Sequence, residues 1–385
     1  MYGYQAGGAY FPLSPSTAYK TANGGQTQNA KDYSTVASPK NIEVMDDRIR
    51  TRVANPVPPV KIVPTPTQDS GHFVGYVGDS INRSKDFPSG RYIIKRKLGA
   101  GTYGKVLECT DKKYNLPVAV KIVRRDPPIY KEAAKKEIKV LRYLGGTHGL
   151  VKLLRDFVHD GHICMSLEMY GDNIQHYMRR NKKPFKIQEI KDIGLQIVHA
   201  TCYMHNKGVI HTDIKAENIL LAHGPDGAVT IKVVDLGSAI FVNDWHPPVI
   251  GTLEYRAPEI ILQAAWSYPV DMYAIGCVLA ELCIGDFLFP ACNEAEYLSV
   301  ISFVTENSFP PDLIRQGKAS AKYRLRSDCT RPVRSLSAGS RVKKVLSDMI
   351  YDAQLLSLLE DMLAFDPNLR INATDAKKHP FFFDR

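Results

Sequence analysis

No run of apolar residues in this sequence approaches the roughly 20 needed to cross a bilayer. The first 30 residues carry neither the basic start nor the apolar stretch of a secretory signal. The seven cysteines, at 109, 164, 202, 277, 283, 292 and 329, form no CxxC pair, which argues against a disulfide framework and a structural zinc knuckle. Together these absences predict a soluble intracellular protein with buried thiols and no membrane partner. What is present is globular on average. The 385 residues are 44% hydrophobic and 9% aromatic, enough for one large or two ordinary domains with a real core.

The formal charge is +10, and its position matters more than its size. Residues 1–85 hold nine basic and six acidic groups, and residues 318–344 hold nine basic and one acidic, so everything else sums to −1. A basic balance alone is compatible with nucleic acid, phosphorylated partners or an acidic membrane surface. Here it is a local feature of one late segment.

The first 65 or so residues are Gly, Ser, Thr, Asn, Pro and Tyr with few aliphatic runs, a composition that cannot repay the entropy of ordering the chain. A mobile arm is expected there, with Ser14-Pro15, Ser38-Pro39 and Thr65-Pro66 as candidate sites for a proline-directed kinase. From Gly71 onward short β-branched and aromatic runs predict an antiparallel sheet: HFVGYV, RYIIKRKLG, GKVLECT and PVAVKIV, later LVKLLRDFVHD and HICMSLEMY. Between them IYKEAAKKEIKVLRYL predicts a helix with its apolar face at Ile129, Ala133, Ile138, Leu141 and Leu144. After Gly171 helices dominate, notably from Ile187, Ser267, Glu294 and Asp352. A small β lobe and a large α lobe thus join near residues 168–172, and a cleft between lobes is where ligand sites form.

Three segments carry chemistry. LGAGTYGKV places Leu98, Gly99, Gly101, Gly104 and Val106 in G-x-G-x-x-G-x-V spacing. Alone this is weak, since a dinucleotide fold or a plain glycine hairpin uses similar spacing. A strand follows here instead of a helix, and Lys121 in AVK comes fifteen residues after Val106, a combination that suits a loop over nucleotide phosphates and a lysine neutralising them. Lys121 needs an acidic partner on the next helix; Glu137 is the first choice and Glu132 the second. HTDIKAENILL, residues 211–221, offers Asp213 as base or orienting group for a hydroxyl, Lys215 to balance phosphoryl charge and Asn218 as an oxygen ligand for magnesium. IKVVDLGSA sets Asp235 after an apolar strand, where its carboxylate can meet metal and phosphates, with Leu236 filling an apolar slot beneath the Glu137 helix. In GTLEYRAPE, Thr252 is expected near Asp213 and Lys215, and Glu259 is expected to pair with Arg370 in the interior. Asp271 should hold the backbone of the catalytic loop. A nucleotide base would lie among Val106, Ala119, Leu167 and Leu220, bonded to the backbone of Glu168 and Tyr170.

From Gly99 to Arg370 these residues resemble a eukaryotic protein kinase, and Tyr255-Arg256 ahead of Ala257-Pro258-Glu259 is similar to the branch holding cyclin-dependent, mitogen-activated and cdc-like kinases. Three features resemble the cdc-like, or LAMMER, kinases: His211-Thr212-Asp213, DSGHFVGYVGD at 69–79, and HDGHICMSLEMYG at 159–171. The resemblance spans about residues 69–384. It implies an α+β bilobal protein kinase fold, with an arm over 1–68, a family hairpin and lead-in over 69–90, and a kinase domain over 91–383. Within that domain it implies an N-lobe at 91–168, a hinge at 168–172, a C-lobe at 173–383 and a basic insert about 310–345.

It further implies ATP and Mg2+, with Lys121, Glu137, Asp213, Lys215 and Thr252 in catalysis, Asn218 and Asp235 on metal, and the glycine loop and base pocket on the nucleotide. Substrates would be Ser or Thr of proteins, Arg/Ser-rich splicing factors among them, extending to Tyr by autophosphorylation, in a monomer residing in the nucleus and also in the cytoplasm. Glu168, Asp172 and Glu254 are candidate contacts for substrate arginines. The family signature EHLAMMERILG is represented only by EYLSVISFVTE, Ala216 replaces the usual Pro, and the arm lacks Arg-Ser repeats. The other readings to separate are a kinase-fold scaffold that uses the basic insert to bind phosphoproteins or nucleic acid, and a small-molecule kinase.

Overall fold

The computed structural model describes residues 71–224, 227–326, 336 and 340–383. The arm over 1–68 with its three candidate phosphorylation sites, and Cys329, Arg331 and Arg334 of the basic segment, lie outside the described residues.

The β-branched runs form one six-stranded antiparallel sheet of β1 (Ser80–Ile81), β2 (Tyr92–Gly101), β3 (Gly104–Asp111), β4 (Leu116–Val123), β5 (Leu153–His159) and β6 (His162–Glu168), in the order β1-β2-β3-β4-β6-β5. Alternation sends Ile94, Leu107, Cys109, Val118, Val120 and Ile122 into a core of this sheet, each at most 3% exposed. HFVGYV is not the strand expected of it. Phe73 enters that core, its ring standing where a side chain at Gly75 would lie, and the chain turns at Val77 and Gly78 before the short strand Ser80–Ile81. Gly78 at φ 95° and the Asp79 carboxylate, which accepts the Tyr76 N–H at 2.8 Å, hold that turn.

Helix α1 (Ile129–Leu144) has the predicted span and ends on Gly145 at φ 71°, whose N–H bonds the Leu141 carbonyl. Its buried face differs from the apolar reading. Ile129 is 49% exposed, and the inward residues are Ala134, Glu137, Ile138, Val140, Leu141 and Leu144. An acidic residue sits in the middle of that face because it has a cationic partner on the sheet, which an apolar-only pattern cannot register.

The large lobe follows with α2 (Ile174–Asn181), α3 (Ile187–Asn206), β7 (Val209–Ile210), β8 (Ile219–His223), β9 (Val229–Val233), β10 (Ile240–Phe241), α4 (Pro258–Ile261), α5 (Pro269–Ile284), α6 (Glu294–Thr305), α7 (Pro311–Gln316), α8 (Leu346–Met349), α9 (Ala353–Met362) and α10 (Ala373–Ala376). Every residue of α5 from Val270 to Leu282 is buried, so this helix is the pillar on which the lobe is built. Strands β7 and β10 pair, as do β8 and β9, and the segment between β7 and β8 carries the polar residues 211–218. Leu236 is 1% exposed in the same core as Ile138 and Leu141. Cys109, Cys164, Cys202 and Cys277 are buried, whereas Cys283 is half-buried and Cys292 exposed, which corrects the expectation for those two. Among the described residues no helix is long and apolar enough to cross a membrane.

Candidate active site

Lys121 and Ala119 lie two apart on β4 and so share one face of the sheet. On that face Lys121 Nζ sits 2.7 and 2.8 Å from the Glu137 carboxylate and 2.7 Å from Asp235 Oδ1. Glu137 is therefore the partner; Glu132 points elsewhere, pairing with Lys135 on the same helix. Burial works against the Lys121 ammonium, yet the two carboxylates outweigh it and hold the lysine above its ordinary value, protonated. Burial likewise pushes the Glu137 carboxyl up, with Lys121 pulling against it, and disfavours charge on Asp235, where Lys121 wins and holds the carboxyl low. Asp235 occupies left-handed backbone at φ 61°, which turns it toward the lysine while its side chain stays 49% exposed on the cleft side.

The second cluster is built on the loop after β7. Asp271, buried in α5, accepts the N–H groups of His211 at 2.8 Å and Thr212 at 2.9 Å, and His205 lies 2.9 Å from the same carboxylate. Burial disfavours its charge, but these donors hold its carboxyl below the usual range. Fixed this way, the loop presents Asp213, whose Oδ1 accepts the Thr252 N–H at 3.0 Å and hydroxyl at 2.8 Å. Asp213 Oδ2 faces Lys215 Nζ at 3.0 Å, and Lys215 donates to the Thr252 hydroxyl at 2.9 Å. Although burial works against it, Asp213 holds the Lys215 ammonium above its ordinary value. Asn218 turns its amide N–H to the Asp213 carbonyl at 2.9 Å, which leaves the amide oxygen for another partner. Asn218 and Asp235 supply a neutral and an anionic oxygen, the donor chemistry that suits Mg2+.

The glycine loop separates two kinds of glycine. Gly104 has φ 154°, and a Cβ there would meet the Ile122 carbonyl at 2.1 Å, so the fold itself requires it. At Gly99 and Gly101 a Cβ would meet nothing within 4 Å. The protein leaves that space open, as a loop must if phosphates are to approach its backbone. Leu98 is 38% exposed at its edge. Val106 is the register partner of Lys121, and Ala119 of Leu167; Val106, Ala119, Leu167 and Leu220 are half-buried, a partly exposed apolar lining. The neighbouring Tyr170 bonds Thr230 through its hydroxyl at 2.6 Å.

Several contacts around the site were not visible in the sequence. Glu168 reaches Lys232 at 2.9 Å and accepts the Lys152 N–H, and Asp172 pairs with Arg180, so two of the three acids offered for substrate arginines are engaged with the protein. Thr212, in left-handed backbone at φ 70°, donates its hydroxyl to the Ser238 carbonyl at 3.0 Å and ties the segment after Asp235 to the loop of Asp213. Arg256 joins the Gly251 carbonyl to Glu294, which in turn receives Tyr323 and Lys322. Only the charge run at 318–344 hinted at that last connection. Deeper in, Arg370 and Glu259 form the expected pair at 2.6 and 3.0 Å, both side chains fully buried.

The protein kinase domain family matches residues 92–382. The chain is 34% identical to Serine/threonine-protein kinase AFC1 of Arabidopsis thaliana, over 82% of this chain and 74% of that one. It is also 34% identical to Dual specificity protein kinase CLK1 of Homo sapiens, over 79% and 68%. A crystal structure of a kinase domain superimposes with a TM-score of 0.72 at 28% identity, covering 82% of this chain and all of the other.

Proposed function

The chain belongs to the protein kinase family, in the branch related to the cdc-like or LAMMER kinases, and from that premise we propose that it transfers the γ-phosphate of ATP to Ser and Thr of proteins. The observation that carries the site assignment is Asp213, a carboxylate fixed on one oxygen by Thr252 and on the other by Lys215. In this reading Asp213 Oδ2 orients the substrate hydroxyl and accepts its proton as the oxygen attacks phosphorus. Lys215 and Lys121 balance the charge spread over the phosphoryl oxygens, and Glu137 keeps Lys121 extended into the cleft. The glycine loop covers the phosphates, while Val106, Ala119, Leu167 and Leu220 enclose the base beside the backbone of Glu168 and Tyr170. Asn218 and Asp235 would hold Mg2+, which when bound neutralises phosphate charge.

Arg/Ser-rich splicing factors in the nucleus, with the cytoplasm as a second location, are the proposed substrates, and autophosphorylation on Tyr accords with the dual-specificity name of a relative. Because Glu168 and Asp172 are engaged, the half-buried Glu254 is, of the three acids offered, the one left to meet arginine. We assign the basic segment to acidic or already phosphorylated protein, with Lys322 reaching it only by leaving Glu294. The proposed enzyme acts as a monomer.

Thr212 gives this function a distinctive regulation. Where many kinases carry an arginine that clamps a phosphorylated activation segment, this chain uses the neutral hydrogen bond from Thr212 to Ser238. Activity should therefore survive phosphatase treatment, measured by phosphate transfer to an Arg/Ser peptide before and after. Loss of most activity, with phosphate mapped between Ser238 and Tyr255, would reject this. The function itself is tested by Asp213→Asn, which should abolish transfer in a protein that still melts cooperatively.

A further inference from the structure

The tip of the glycine loop, Thr102 and Tyr103, is tied to α1 by side chains outside the phosphate-handling set. Arg124, just past β4, donates its backbone N–H to the Tyr103 carbonyl at 2.9 Å and lies with Nη1 3.4 Å from the Thr102 carbonyl. The same guanidinium stands over the ring of Tyr130, 4.9 Å from its centroid, with Nη1 3.3 Å from the Tyr130 hydroxyl. Tyr130 then meets Tyr103 edge to face, centroids 5.7 Å apart and planes at 84°. The backbone bond would belong to any hairpin at this place. The aromatic pair and the guanidinium are particular to these three side chains, and Tyr103, 51% exposed, is not in the loop to fill a core.

Tyr130 lies in the first turn of α1, and Glu137 follows seven residues later, two turns along the same face. One helix face therefore holds Lys121 at one point and the loop tip at another. We propose that Tyr130, together with Arg124, is a positioning residue that latches the glycine loop onto α1, so that closure of the loop over the nucleotide and pairing of Glu137 with Lys121 occur as one event. The proposal rests on the loop being the cover of the ATP phosphates.

The test compares Tyr130→Leu, Tyr130→Phe, Tyr103→Leu and the double Tyr103→Leu/Tyr130→Leu in the full chain, measuring KM for ATP, kcat at saturating ATP and the thermal midpoint. Tyr130→Leu should raise KM for ATP roughly five- to tenfold with kcat lowered less than about twofold, the scale of one aromatic contact with its cation. Tyr130→Phe keeps the ring contact and should stay within about twofold of the parent protein. The double variant should be no worse than the poorer single, because both remove the same contact. An unchanged KM in Tyr130→Leu, or losses that add in the double, would overturn the latch, as would equal losses in the Leu and Phe variants. Tyr103 is exposed, so Tyr103→Leu reads the same contact even if a change at Tyr130 disturbs folding. The same ranking is read from the Kd of a fluorescent ATP analogue with Mg2+; absent turnover in the parent would then count against the kinase reading, while unchanged Kd values would count against the latch.

Discussion

Two ion-pair clusters in this molecule use the same chemistry in opposite ways. The side chains of Arg370 and Glu259 are both wholly buried, and the guanidinium makes four hydrogen bonds, two to the carboxylate and one each to the Ala364 and Pro269 carbonyls, over the face of Tyr273. Neither side chain reaches the surface, where a ligand would meet it. Around Lys121 and Asp213 the charges are just as closely spaced, yet Asp235 remains half exposed and the Asn218 amide oxygen is unused by the hydrogen bonds that fix the site. A closed pair fixes the fold, whereas an open one keeps polar atoms aimed at a space where substrate and metal fit.

Changes to the two clusters should therefore fail differently. A large effect on transfer is expected at Lys121→Met, which removes a cation from the transferred phosphate and should lower kcat about 10²- to 10³-fold. Glu137, left buried without its lysine, can take up a proton because burial already pushes its carboxyl up, so the thermal midpoint should fall less than in Arg370→Met, read by steady-state kinetics and calorimetry on one preparation. Arg370→Met reverses the pattern. Leaving Glu259 buried without its partner should cost about 3–5 kcal/mol in denaturant unfolding, and adding Glu259→Leu should recover much of it. A smaller effect sharpens the line between closed and open groups. Glu281 is buried in α5, lines a cavity of about 350 Å³ with Gln175, Met178 and Arg179, and accepts the Tyr255 hydroxyl at 2.5 Å. Burial raises its pKa from 4.5 to about 7, the Tyr255 bond notwithstanding. The folded state thus binds the proton more tightly than the unfolded chain, so stability from this group is present below pH 4.5 and falls as pH rises toward 7. Glu281→Gln should flatten that slope and gain about 2 kcal/mol over the parent protein at pH 8, measured by unfolding across pH.

Much of this arrangement was legible in the residues. The glycine spacing, the residues 211–218 and the helix over 129–144 announce themselves because each is local, with propensity and chemistry lying within a few positions. The buried pair of Glu259 and Arg370 lies 111 residues apart, yet an acid expected in the interior calls for an arginine, and Arg370 in DPNLRI is the candidate. What stayed hidden depends on distant neighbours. HFVGYV has the composition of a strand, yet its Phe73 packs into a core with sheet residues as far along the chain as Cys164. Glu168 and Asp172 look free until Lys232 and Arg180 arrive from other elements. The latch of Tyr103, Arg124 and Tyr130 carries no motif, since each residue is ordinary in its own strand, loop or helix.

The most direct test of the division between open and closed charges follows γ-phosphate transfer and thermal midpoint together in Asp213→Asn and Arg370→Met. The account predicts that Asp213→Asn keeps its midpoint within a few degrees and loses transfer by about 10³-fold or more, while Arg370→Met melts far earlier yet transfers phosphate at a near-parental rate per folded molecule. An Asp213→Asn protein that still transfers phosphate, or an Arg370→Met protein of parental stability, would contradict it.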